Sequence, residues 1–213
     1  MNQQELQWDK LLKIKTTGRD DSNADQYKYP YEPTPYSVLE RLANSGEIRK
    51  NNVLLDYGCG KGRVDFFLSY KTRCKSIGIE YDERIYKAAA INQETSVSGR
   101  RVQLELTNAE QYHVPTEVDR CFFFNPFSVE ILRKAMARVI DSYHDRLVHR
   151  TNLLCAKAYE NPREMLFFFY YPSDEYVSYL MTVDEIAFYD EIDCRDLFEG
   201  NNPRERIMIF ELV

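Results

Sequence analysis

At 213 residues, 44% hydrophobic and 29% charged, the chain has the length and balance of one globular α/β-sized domain. No apolar run approaches the ~18 residues of a membrane span, and the start Met1-Asn2-Gln3-Gln4-Glu5 lacks the basic and apolar regions of a secretory signal. A formal charge of −6 and a pI near 5.3 exclude a domain-wide basic footprint for nucleic acid.

Residues 1–16 are expected to form a short amphipathic helix, with Leu6, Leu11, Leu12 and Ile14 on its apolar side. A polar loop over 17–28 follows, then the aromatic and proline-rich piece from Tyr27 to Tyr36. Thr34 and Pro35 read as a helix start, a capping hydroxyl and then proline in the first turn, with Val38, Leu39 and Leu42 facing inward.

From residue 53 strands and helices alternate. Val53-Leu54-Leu55 reads as a strand; Val64, Phe67 and Leu68 have helical spacing; Ser76–Ile79 is a second strand. Asp82 is placed to cap a helix carrying Ile85, Ala88 and Ala89. Val102–Leu106 alternates, and Cys121–Phe124 and Met165–Phe169 are continuous apolar runs, as in strands buried on both faces. Val129, Leu132, Met136 and Val139 mark a helix, and Ser173 starts another through Val177 and Leu180. Two strands, Ile186–Tyr189 and Ile207–Phe210, flank a turn at Glu199–Pro203 and are expected to pair antiparallel. Residues 141–162 exceed an ordinary connection and are either an insertion or an extended helix. The pattern predicts an α/β fold, a doubly wound and mostly parallel sheet with helices on both faces.

The five cysteines, Cys59, Cys74, Cys121, Cys155 and Cys194, are odd in number and form no C-x-x-C pair. They read as free thiols in a reducing cytoplasm, and neither they nor His113, His144 and His149 make a metal signature.

The chemistry concentrates at the turn after the first strand, Gly58-Cys59-Gly60-Lys61-Gly62. Glycines at a strand-to-helix turn let backbone approach a ligand at the carboxyl edge of an open sheet. The spacing is G-x-G-x-G, not the G-x-G-x-x-G of dinucleotide sites, which disfavours a nicotinamide-dependent oxidoreductase. Asp56, two positions before Gly58, is unhelpful beside a pyrophosphate but suits a cationic ligand. Glu80 ends the next strand 22 positions after Gly58, where a carboxylate accepts hydrogen bonds from ribose hydroxyls. Lys61 and Arg63 read as exposed helix-start side chains.

Leu54–Arg63 resembles motif I of the class I S-adenosylmethionine-dependent methyltransferases, Ile77–Asp82 resembles their second motif, and Asn108-Ala109-Glu110 resembles the segment that flanks the adenine. The resemblance covers residues 34–213, preceded by an N-terminal helix and lead-in over 1–33, and its sharp motifs lie within 53–127. It implies a seven-stranded sheet with an antiparallel last strand and S-adenosylmethionine as cofactor. It also implies that Glu80 holds the ribose, that the loop with Asp56, Gly58, Cys59, Gly60 and Gly62 passes under the methionine part, and that Tyr81 packs near the adenine.

Phe124-Asn125-Pro126-Phe127, at the end of the fourth strand, looks like a shortened Asn/Asp-Pro-Pro-Tyr/Phe motif of amino-group methyltransferases, one proline short. Mapped here, Asn125 would orient the nucleophile and also border the cofactor, and Phe127 would form a wall. Tyr31 and Thr34 are expected at the cofactor as well, and Tyr170-Tyr171-Pro172 at the same sheet edge. The expected activity is methyl transfer to a small molecule or protein side chain. RNA or DNA amino-group methylation and a catalytically inactive cofactor-binding module are the alternatives.

Overall fold

The computed structural model describes residues 3–18, 31–153 and 164–213, the side chains of 149–153 excepted. The elements in chain order are α1 (Gln3–Leu12), α2 (Tyr36–Ser45), β1 (Val53–Tyr57), α3 (Arg63–Thr72), β2 (Lys75–Glu80), α4 (Glu83–Thr95), β3 (Val102–Leu106), β4 (Arg120–Phe123), α5 (Val129–Leu153), β5 (Leu166–Tyr170), α6 (Asp174–Leu180), β6 (Ile186–Asp193) and β7 (Arg206–Leu212).

The strands form one seven-stranded sheet in the order β3-β2-β1-β4-β5-β7-β6. β1 pairs in parallel with β2 and β4, β3 with β2, and β5 with β4, while β7 inserts antiparallel between β5 and β6. The strand order reverses at β1 and β4, so the crevice at their carboxyl ends is the ligand position of an open α/β sheet.

Period-two alternation divides the core. Leu55, Tyr57, Cys121, Phe123, Phe167 and Phe169 face the layer containing Leu132, Met136 and Val139 of α5 and Tyr176 and Leu180 of α6. Leu54, Phe122, Leu166 and Phe168 face the other layer, with Leu39 and Leu42 of α2 and Phe66 and Phe67 of α3. Across β1, β4 and β5 the rings of Tyr57, Phe123 and Phe169 form a ladder, each step 4.7 Å between centroids and within 9° of parallel.

Asp82 caps α4 as expected, accepting from the Arg84 and Ile85 amides, and the Ser173 hydroxyl caps α6 by accepting from the Tyr176 amide. The start of α2 differs. Pro35 is its cap residue and Thr34 supplies no capping bond; instead the Glu5 carboxylate of α1 accepts from the Tyr36 amide at 3.0 Å. Proline's missing N–H and the neighbouring acid make a hydroxyl cap unnecessary there. α1 also turns differently from its expected face. Leu12 and Ile14 are buried, but Leu6 and Leu11 are half exposed. Trp8 points inward instead, edge-on to Phe67 at 4.9 Å. The stretch 141–153 is a continuation of α5, whereas 154–162, with Cys155, lies outside the described residues. Most of the expected 17–28 loop and residues Tyr27 to Pro30 also lie outside them. Among the described residues no helix is long and apolar enough to cross a membrane.

Candidate functional site

The loop between β1 and α3 is a tight backbone turn. The Gly58 and Cys59 amides both donate to the Ile79 carbonyl of β2 at 3.0 Å, and the Gly62 amide donates to the Cys59 carbonyl at 2.8 Å. Gly58, Gly60 and Gly62 have φ of +71°, +57° and +82°, the left-handed region that glycine adopts without strain.

Each of these glycines also accommodates a neighbour. A Cβ at Gly58 would lie 2.5 Å from Pro126 Cβ, and one at Gly60 would lie 2.3 Å from the Tyr31 ring. A Cβ at Gly62 would strike Phe66 at 2.5 Å. Gly62 therefore starts α3 over a core phenylalanine and stands outside the cavity lining, unlike Gly58 and Gly60.

Glu80 ends β2 with 5% of its surface exposed. Its carboxylate accepts from the Gly60 amide at 3.0 Å and from the Tyr81 and Asp82 amides at 2.9 Å each. Burial raises its pKa, against the pull of these three amides. The acid is thus fixed in orientation at the strand end, tied to the glycine turn and bordering the cavity.

That cavity opens at the carboxyl ends of β1, β2 and β4 and gathers the other expected residues. Tyr31, Thr34, Asp56, Cys59, Tyr81, Asn108, Ala109, Glu110, Asn125 and Phe127 all line it. Several are already committed to other partners. Glu110 is paired with Lys134 at 2.8 Å. The Cys59 side chain presses toward Gly78, where a Cβ would lie 2.8 Å from Cys59 Sγ. Burial keeps the Cys59 thiol protonated.

Asn125 has φ +39°, in the left-handed region that asparagine tolerates better than most residues. Its side-chain amide donates to the Tyr171 carbonyl at 2.6 Å and its oxygen accepts from the Ser173 amide at 3.2 Å. The side chain expected to orient a nucleophile ties the end of β4 to the loop before α6. Phe127 is buried, edge-on to Tyr57 and Phe123, and its carbonyl accepts from the Tyr176 hydroxyl at 2.6 Å. Pro126, pressed on Gly58, joins this turn directly to the glycine loop.

Arg63 corrects the reading of an exposed helix start: it is 2% exposed. Its guanidinium donates to Thr16 Oγ1 at 2.8 Å, to the Thr34 carbonyl at 3.1 Å, to Thr17 Oγ1 at 3.2 Å and to the Glu5 carboxylate. It also stacks over Tyr36 at 4.2 Å. Asp9 completes the network, accepting from Thr16, Thr17 and Tyr36. Burial acts to raise Asp9, but the bonds from Thr16 and Tyr36 outweigh it and hold the carboxyl below its ordinary value. The network fastens the N-terminal segment to α3 beside the loop. Tyr31 caps the arrangement: its hydroxyl donates to the Thr16 carbonyl at 2.6 Å and Lys61 sits 4.7 Å over its ring.

The residues that pattern reading missed are Arg63, Asp65 and Gly78. Asp65 is completely buried in α3, its carboxylate accepting from the Ser76 hydroxyl at 2.5 Å. A signal was present: charges interrupt an apolar run at Arg63-Val64-Asp65-Phe66-Phe67-Leu68. Among the described residues no cluster of three or more His, Cys, Asp and Glu side chains is arranged to hold a metal ion.

No protein-family model matches the chain. A curated protein-lysine N-methyltransferase from Saccharolobus islandicus (strain REY15A) is 34% identical over 73 residues. That match covers 33% of this chain and 45% of the relative, less than half its length. An RNA methyltransferase from Salinibacter ruber, solved with S-adenosyl-L-homocysteine, superposes over 85% of this chain and 92% of its own, with TM-score 0.55 and 15% identity. A precorrin-6y C5,15-methyltransferase from Geobacter metallireducens GS-15 covers 94% of this chain and 98% of its own, with TM-score 0.54 and 14% identity. The chain has the Rossmann-like fold of S-adenosylmethionine-dependent methyltransferases, as the motif resemblance implied.

Proposed function

We propose that the chain is an S-adenosylmethionine-dependent methyltransferase, and that its acceptor is an amine side chain of a protein, of the lysine class. The observation that carries the donor reading is Glu80, a buried strand-end carboxylate bonded to the Gly60 amide of a left-handed glycine turn, both facing one cavity. A carboxylate so oriented accepts from vicinal ribose hydroxyls, and the turn admits the methionine part where any larger residue would collide with Tyr31 or Pro126.

S-adenosylmethionine supplies an electrophilic methyl carbon on a sulfonium. The chain's own contribution is to hold donor and acceptor together and exclude water, and positioning alone supplies a large share of such a barrier. On this reading Glu80 and the glycine turn fix the donor, with Tyr81, Asn108 and Ala109 around its base. Asn125 and Pro126 shape the acceptor side, and Phe124 and Phe127 form its apolar walls. An acceptor amine held here would have to attack in its neutral form, its lone pair forming the N–C bond as the C–S bond cleaves to leave a neutral thioether, with the ammonium proton passing to solvent.

The protein-amine acceptor is supported by the local likeness to a protein-lysine N-methyltransferase. The charge points the same way. Among the described residues, acids outnumber basic side chains on the cavity border: Glu32, Glu80, Asp82 and Glu110 against Arg63. An acidic border attracts a basic peptide and repels a phosphate backbone.

The test is methyl transfer from isotopically labelled S-adenosylmethionine to lysine-containing peptides and, in parallel, to RNA oligonucleotides. Label on the peptide ε-amine, absent from peptides whose lysines are replaced by arginine, supports the reading. Label on RNA alone would replace the acceptor, and no transfer to any substrate with intact donor binding would reduce the chain to a binding module.

A further inference from the structure

Two carboxylates meet beneath the glycine loop. Asp56 ends β1 at 3% exposure and borders the cavity, and Asp65 in the first turn of α3 is fully buried behind it. Asp56 lies opposite Gly78 in the β1–β2 register, and the Asp65 carboxyl reaches over Gly78 from α3, so the two carboxyls are neighbours. Oδ2 of each is buried, and neither has a donor. Two ionised carboxylates cannot satisfy one another, but a single proton between them satisfies both oxygens at once. Gly78 of β2 makes the space: a Cβ there would lie 2.7 Å from Asp65 Oδ2.

We infer that Asp56 and Asp65 form a proton-sharing carboxylate pair, and that Asp65 is the positioning residue that sets the charge Asp56 presents to the cavity. The inference rests on the donor reading only for its ligand, the ammonium group of the methionine part. The surroundings define how the pair titrates. Glu80 at the end of β2 adds negative charge, and the Cys59 thiol of the loop is neutral. The Ser76 hydroxyl of β2 donates to Asp65 Oδ1, favouring ionisation there. Burial dominates these effects, raising Asp56 well above the ordinary carboxylate range and Asp65 to about 7. The pair titrates as a unit and keeps a proton at neutral pH. A cation arriving at Asp56 favours the ionised form, so binding draws a proton off the pair.

The pair is read without ligand by the infrared carbonyl stretch of a protonated carboxylic acid. The ligand-free wild type shows this band at neutral pH. Asp65→Asn, which removes the neighbouring acid and supplies an amide donor to Asp56, moves the band's titration midpoint downward in pH. Ser76→Ala, a milder change, moves the band's titration midpoint upward in pH. A wild type without the band overturns the pair, as does an unmoved midpoint in Ser76→Ala.

Calorimetric titration with S-adenosylhomocysteine reads the coupling. Wild-type affinity is expected to rise several-fold from pH 6 to pH 8, with proton release to buffer, and Asp65→Asn to bind with no such rise. An equal pH dependence in Asp65→Asn overturns the positioning role. Absence of wild-type binding at every pH overturns the donor reading and the coupling with it, while the infrared band separately decides the pair.

Discussion

Pro126 packs directly on Gly58, where an added Cβ would fall 2.5 Å from Pro126 Cβ. The glycine loop and the turn carrying Asn125 and Phe127 are therefore one surface. Gly58→Ala must displace the proline and also adopt a φ of +71°, strained for any Cβ-bearing residue. The expected result is a loss of roughly 1–3 kcal/mol of stability and at least about tenfold weaker binding of S-adenosylhomocysteine, measured by denaturant unfolding and calorimetry. Binding unaffected by the substitution would separate the turn from the donor site.

Arg63 is the buried cation of the N-terminal attachment. Arg63→Met leaves Glu5 and Asp9 without it, and breaking a buried ion pair from one side typically costs about 3–5 kcal/mol. The variant is expected to unfold at markedly lower denaturant concentration. Because Thr34 and Tyr31 are fastened through the same network, cofactor affinity should fall too. Wild-type stability in this variant would show that the network is dispensable.

Asn125 bridges the Tyr171 carbonyl and the Ser173 amide. Asn125→Ala leaves both without their partner, at about 1–3 kcal/mol. Since the tie shapes the acceptor side, methyl transfer should fall more than donor affinity, read as a drop in kcat/KM with nearly constant S-adenosylhomocysteine binding. Equal losses in both would place Asn125 in donor binding instead.

The Asp56–Asp65 pair also predicts a stability profile. Burial raises Asp65 from an ordinary 3.8 to about 7 in the folded chain. The folded state therefore keeps a proton that the unfolded chain has released between those values. The Asp65 contribution is complete below about pH 4 and is lost as pH rises towards 7, and Asp56, raised further by burial, extends the decline to higher pH. Asp65→Asn should flatten this decline, visible as a smaller pH dependence of the unfolding midpoint. A decline of the same size in the variant would assign it to other groups.

The centre of the sheet was legible because β1, β4 and β5 are buried on both faces. Cys121–Phe123 and Leu166–Phe169 are apolar without a break, and no other arrangement covers them. The glycine turn and the strand-end position of Glu80 were legible because glycine spacing and a strand-end acid report backbone geometry directly. What could not be read was long-range partnering. Arg63 looks like a solvated helix-start charge until Glu5, some 58 positions earlier, is brought beside it. Thr34 looks like a cap until the acid of α1 takes that place. Asn125 looks like a free amide until the loop before α6 arrives. Each depends on elements distant in the chain, which periodicity does not encode. The acceptor is illegible for the same reason: its surface is assembled from the ends of separate strands.

The central claim is a methyl-donor site built on Glu80 and the glycine turn. Calorimetric titration of the intact chain with S-adenosylhomocysteine, and separately with NAD, tests it most directly. The account predicts one S-adenosylhomocysteine site per chain, weakened at least about tenfold by Glu80→Ala through the loss of charge-assisted hydrogen bonds to the ribose, and no heat with NAD. Binding of NAD with no response to S-adenosylhomocysteine would contradict it.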